Sequence, residues 1–143
     1  MVRSLFNSGV TSSVELSQNR IDSFAITADH KTHHFEYLYP EIHPENVALN
    51  GYYEIIYRNK LQIVYKQSSR TIIDEALTLY IPDIHKYIII DNKFYKINSK
   101  QKLLKLFPEK KKMIKKKIFS YQLNYKNLST SNLIEIVKYI ESL

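Results

Sequence analysis

The sequence predicts an α+β fold: an antiparallel β-meander of about five to seven strands, followed by two or three short C-terminal helices packed on the sheet. Three observations carry this expectation. From Arg20 to Ile97, β-branched and aromatic residues recur near period 2 between turn-forming groups. From Asn98 onward the apolar spacing lengthens to three and four residues. The charge changes in the same region. Residues 93–126 hold twelve lysines against one acid, Glu109, whereas residues 1–92 hold eight basic and eleven acidic side chains. A single domain is expected over 1-143, mainly β through 1-97 and mainly α through 98-143. With 143 residues, 44% of them hydrophobic, the chain can bury a core without staples.

The elements follow in order. Arg20–Thr27 alternates apolar and polar side chains and reads as a strand. His34–Tyr39 continues in that style until Pro40, and Pro40–Asn50 reads as a loop ending at Gly51. Tyr52–Tyr57 and Leu61–Lys66 flank Arg58-Asn59-Lys60, and Asn59 can take the left-handed backbone that a tight turn needs, so a hairpin is expected. Lys86–Ile90 and Lys93–Ile97 flank Asp91-Asn92, a type I′ pair without the usual glycine. Between the hairpins, Ile72, Ile73, Ala76 and Leu77 suit a helical turn while Thr78–Ile81 suits a strand, and Thr71–Leu79 is read as strand-rich.

The helical end begins at Asn98 or Ser99, either of which can cap a helix with Leu103, Leu104, Leu106 and Phe107 on its apolar side. Pro108 cannot continue that helix but fits the first turn of the next. From Glu109 to about Tyr121, Met113, Ile114, Ile118 and Tyr121 form one stripe, with lysines over most of the remaining surface. After a break at Gln122–Leu128, one of Ser129, Thr130 and Ser131 is expected to cap a last helix. Leu133, Ile136, Val137 and Ile140 face inward there, with Ile134 and Tyr139 at the margins.

Composition narrows the function classes. There is no cysteine, which excludes disulfides and thiolate metal sites. The longest apolar run, Tyr87–Ile90, is strand-sized, far from the roughly 20 residues that cross a bilayer. Met1–Gly9 lacks the apolar segment of a signal peptide, so the expectation is a cytosolic chain or one whose leader lies outside this sequence. Seventeen lysines against four arginines, with much Ile, Asn and Tyr, is the bias an AT-rich genome imposes, which weakens any reading of tyrosine as a binding residue.

Residues Tyr87–Ile97, followed by Ser99–Lys111, carry a strand pair and then the sequence Lys102-Leu103-Leu104-Lys105-Leu106-Phe107-Pro108-Glu109-Lys110-Lys111. This region resembles a group of uncharacterised proteins from Bacteroidetes-type bacteria, in which a "YY-x-V/I" strand precedes a "K-x-LLKLFP-x-KK" helix entry. Gly51–Tyr57 is similar to an upstream strand of that group, and Leu133–Leu143 to its closing helix. The resemblance spans roughly residues 20–143 and thins before residue 51. Members often begin with a secretory signal and further strands, and neither is expected from the residues that open this sequence. The resemblance implies the architecture, an envelope or periplasmic setting, and a non-enzymatic accessory or protein-interaction domain whose partner is another protein. The group has no established activity, so no catalytic, cofactor or metal residue is carried over.

The basic helix is the second candidate. Lys110, Lys111, Lys112, Lys115 and Lys116 offer anion contacts, making helix 109–121 a module for nucleic acid or another acidic polymer. The plainer reading is a solvated face in a lysine-rich chain. It is favoured because arginine is absent from residues 71–143 and no nucleic-acid fold signature is present. His30, His33, His34 and Glu36, with His43 nearby, hold metal-ligating groups, but a strand splits His33 from His34 and Glu36. Exposed loop histidines are the simpler account. Tyr37, Tyr39, Tyr52, Tyr53, Tyr57, Tyr65, Tyr87 and Tyr95 suit either a stacking platform or ordinary sheet packing, and Tyr52 and Tyr53 must point to opposite faces. Gly9 and Gly51 stand alone, no serine lies in a nucleophile elbow, and Asp74-Glu75 diverge in a strand. An interaction domain should instead present an exposed apolar or tyrosine-bearing patch on the order of several hundred Å².

Overall fold

The computed structural model describes residues 21–41 and 48–143, together with two short paired strands, β1 (Val2–Ser4) and β2 (Ser12–Val14). Arg20, His43, Pro44 and the remaining N-terminal positions considered above lie outside the described residues. Six strands then form one antiparallel sheet in strict meander order: β3 (Ser23–Ala28), β4 (Lys31–Leu38), β5 (Gly51–Arg58), β6 (Gln62–Asp74), β7 (Leu77–Ile90) and β8 (Lys93–Lys96). Three helices follow, α1 (Lys100–Leu106), α2 (Lys111–Ser120) and α3 (Thr130–Ser142). The expected α+β meander with packed C-terminal helices is therefore the observed fold.

Local chemistry explains most element boundaries. Asp91 and Asn92 both adopt left-handed backbone, φ 50° and 64°, and close the β7–β8 hairpin as anticipated. Asp29 and His30 do the same between β3 and β4, φ 50° and 61°. Ser99 is the cap of α1, its side chain accepting from Lys102 N, and Pro108 opens a single 3-10 turn that leads into α2. Gln122, at φ 55°, ends α2 in the left-handed region, where its N–H bonds the Phe119 carbonyl. Ser129 caps α3 and shares a reciprocal capping box with Asn132.

The β5–β6 turn corrects the sequence reading. Asn59 is not left-handed. The turn is held instead from α3: Glu141 accepts the Leu61 N–H at 2.7 Å, the Tyr57 hydroxyl at 2.6 Å and the Asn59 amide at 3.2 Å. Desolvation pushes the Glu141 carboxyl up, but these three hydrogen bonds and the Lys60 charge outweigh it, and its pKa lies below the ordinary value. A lowered carboxyl contributes stability that is full above the ordinary carboxylate range and fades as pH falls through the folded-state pKa. Glu141→Gln should therefore cost about 1 kcal/mol near neutrality. Thermal melts from pH 7 to pH 3 should show the gap to the parent closing in acid. A gap that widens in acid would contradict the clamp.

Both faces of the sheet are packed near its β5–β8 end. On one face Ile63, Tyr65, Ile88 and Ile97 meet Leu103, Leu104, Ile114, Ile118, Leu133, Ile136, Val137 and Ile140 from the helices. The lysine-rich end thus folds back with Ile114, Ile118, Leu133 and Ile140 buried, as the helical spacing requires. Met113 departs from the expected stripe. It is 48% exposed, because the buried arc of α2 is narrow and centres on Ile114 and Ile118. On the opposite face Tyr53, Val64, Tyr87, Ile89, Phe94 and Ala48 form a second cluster. There the Tyr53 hydroxyl donates to the Leu49 carbonyl at 2.6 Å, and Lys66 reaches the Leu49 and Asn50 carbonyls. Gly51 enters β5 at φ 158°, a backbone that larger residues rarely adopt, whereas a Cβ there would displace only the flexible end of Lys66, 2.9 Å away.

Candidate functional site

The feature that stands apart from this packed body is a β-ribbon. β6 pairs with β5 only through Gln62–Tyr65, and β7 pairs with β8 only through Tyr87–Ile90. Beyond those residues β6 and β7 continue with each other alone, from Gln67↔Ile84 to Asp74↔Leu77. Thr71–Leu79 is accordingly strand, interrupted by a two-residue turn at Glu75-Ala76, and the helical alternative is absent. The Asp74 carboxylate accepts the Glu75 N–H at 2.8 Å and fixes the start of that turn. At a rise of about 3.4 Å per residue, the eight paired positions project roughly 27 Å.

The ribbon carries the largest group of exposed apolar side chains among the described residues: Ile72, Ile73, Leu77, Leu79, Ile81 and Ile84, with Tyr80 half exposed. Ile73 is 81% exposed. The register decides how they are distributed. Ile72 lies directly opposite Leu79, with Ile81 and Leu77 on that same face. Ile73, Tyr80 and Ile84 lie on the other face. Among the described residues no third strand pairs with either outer edge along this stretch. Residues 67–85 hold one arginine against three acids, so the ribbon is mildly acidic while the helical end is strongly basic.

The anticipated lysine site is placed differently from residue to residue. Lys111, Lys112, Lys115 and Lys116 are all exposed on α2. Lys110 is turned inward, its ammonium bonding the Ile140 carbonyl at 3.2 Å and the Leu143 carbonyl at 3.3 Å. It thereby serves the C-terminal end of α3, where a cation complements the unpaired carbonyls. Lys117 lies over the rings of Tyr121 and Tyr139. The Tyr121 phenol is pushed up to about 12, by desolvation first and then by its bond to Glu135.

The histidines do not converge. His30 sits in the β3–β4 turn and His34 is exposed opposite Ala25. His33 points to the other face and pairs with Glu54, a buried carboxylate on β5 that local sequence gave no means of finding. Glu36 makes a bidentate pair with Arg58, whose hydrogen bonds hold its carboxyl below the ordinary value. Among the described residues no three potential metal ligands come together. Tyr52 and Tyr53 take opposite faces as alternation requires. Tyr52 packs edge-on to Phe24 and Tyr37 and bonds the Ile21 carbonyl at 2.7 Å.

Two adjoining depressions lie where α1, the segment before α3 and the end of β7 meet. One, of about 310 Å³, is lined by Lys86, Asn98, Tyr125, Lys126, Leu128 and Leu133. The other is lined by Ser99, Lys100, Asn124, Tyr125, Lys126 and Asn127. Neither lining contains a carboxylate or an imidazole; their titratable groups are lysines and the Tyr125 phenol.

Fold and surface together define an α+β protein built on a six-stranded antiparallel meander, with a projecting apolar ribbon and a basic helical end. Comparison with protein-family models, curated proteins and solved structures gave no match. No helix among the described residues is long and apolar enough to cross a membrane.

Proposed function

We propose that this protein is a non-enzymatic interaction domain whose docking element is the β6–β7 ribbon, and that the partner is another protein. The observation that carries the reading is the exposure of aliphatic side chains on both faces of the ribbon. A flat partner surface would cover one face and leave the other wet. The fitting partner therefore receives the ribbon in an apolar cleft, and its own strand can extend a free edge by main-chain hydrogen bonds. Exposed aliphatic side chains grouped in this way form a patch of the kind that marks contact with another protein. Its slight negative charge disfavours nucleic acid and anionic lipid as occupants of this element. The resemblance to the Bacteroidetes-type group is consistent with an accessory role.

A photo-crosslinking residue placed at Ile73 or Leu79 in cells should join the chain to one defined protein. The same residue at exposed Lys60, in the β5–β6 turn, should not. Leu79→Asp should remove the adduct made from position 73. Adducts formed equally from ribbon and turn, or none from the ribbon, would remove the proposal. An adduct of twice the chain's mass would identify the partner as a second copy.

A further inference from the structure

We infer that the outer face of α2 docks on an anionic lipid surface, with Phe119 and Met113 inserted between headgroups and Lys112, Lys115 and Lys116 on the phosphates. This surface is separate from the ribbon and does not depend on the ribbon's partner. The apolar stripe of α2 that packs on the sheet is Ile114 and Ile118. A second apolar set is left outside. Phe119 is 80% exposed and Met113 48%, while Leu123, in the turn just after the helix, is 50% exposed.

Helical geometry puts Phe119 one turn beyond Lys115 and Lys116 and two turns beyond Lys112, on the same side. Met113 flanks Lys116 from the other direction, at i−3. The solvent-facing arc therefore interleaves large apolar groups with lysines, all of these lysines being exposed. Phe119 stands within the lysine face with most of its ring in water. An interfacial helix needs both parts: apolar side chains enter the headgroup boundary while the lysine stems reach the phosphates. The helix is only ten residues long, so it lies on the surface and does not cross it.

Charge complementarity is strong, because residues 93–126 hold twelve lysines and one acid. Nucleic acid is the less fitting polyanion. Stacking along a strand asks for several aromatic platforms, whereas this face offers one ring beside a methionine and a leucine. Arginine, the better grip on phosphate and base edges, is absent from this end of the chain.

The test is sedimentation with vesicles of phosphatidylcholine alone and with phosphatidylglycerol added. The parent chain should bind the anionic vesicles and leave the neutral ones. Each lysine near such a surface is worth roughly fivefold in partitioning, so Lys112→Glu with Lys116→Glu should lower binding by about 25-fold or more. Phe119→Ser should lower it about tenfold, with the remainder abolished by salt. Both variants should melt like the parent, since the altered side chains are exposed. Removing the ribbon should leave vesicle binding unchanged, which separates a failure here from a failure of the ribbon reading. Failure to bind anionic vesicles would overturn the inference. So would binding indifferent to Phe119→Ser and matched by equal retention on heparin, which would assign the face to a soluble polyanion.

Discussion

Replacing Ile136 by alanine is expected to lower the unfolding free energy by about 3–4 kcal/mol. Ile136 is completely buried on the inner side of α3, in the cluster that joins the helices to Ile63 and Ile88 of the sheet. Truncation removes buried methyl and methylene groups and leaves a cavity that two rigid layers cannot close. Single domains are typically stable by about 5–15 kcal/mol, so the loss takes a large share of the total. Urea denaturation should show a lower midpoint at an unchanged slope. Met113→Ala and Phe119→Ala are the internal comparison, and each should stay within about 0.5 kcal/mol of the parent because the side chain already faces water. Equal destabilisation at positions 119 and 136 would mean that α2 and α3 present different faces to the sheet.

Excision of the ribbon should have the opposite signature. Joining Gln67 to Ile84 through Asn-Gly places a two-residue hairpin turn between residues that are already directly opposed. Of the residues removed, 68–83, every described side chain is exposed except that of half-buried Asp83, so no core group is lost. The Asn98 side chain would still receive the Lys86 N–H and donate to the Ile84 carbonyl, holding the cut end in register. The shortened protein should unfold within about 1 kcal/mol of the parent and yet, added in excess, should fail to compete with the full-length chain for crosslinking from position 73. It should also be more soluble, because a long ribbon with aliphatic faces and open edges invites edge-to-edge association. A large fall in stability would show the ribbon to be part of the core and not a docking element.

The sequence made some of this visible and hid the rest for physical reasons. Asp91-Asn92, Ser99, Pro108 and Ser129 act within their own turn of chain, so their roles could be read directly. The β5–β6 turn could not, because its stabiliser, Glu141, arrives from 80 residues away at Leu61. His33 and Glu54 likewise meet only because β4 and β5 are neighbours. Lys110 looked like any other lysine of its run until α3 brought carbonyls within reach. Ile72, Ile73 and Leu79 carried the aliphatic composition of a buried strand. Nothing in their spacing announces that the neighbouring strands stop short.

The sequence by itself determined the meander, the change to helices near Ser99 and the inward stripe of Ile114, Ile118, Leu133, Ile136 and Ile140. Those features arise from backbone propensity and side-chain periodicity, which act over a few residues. Tertiary structure alone decided which apolar groups remain in water: the ribbon residues beyond the ends of β5 and β8, and Phe119 on the far side of α2. Burial is a property of what lies opposite a side chain, and what lies opposite is fixed by strand lengths and layer order, not by the residue's own neighbours in sequence.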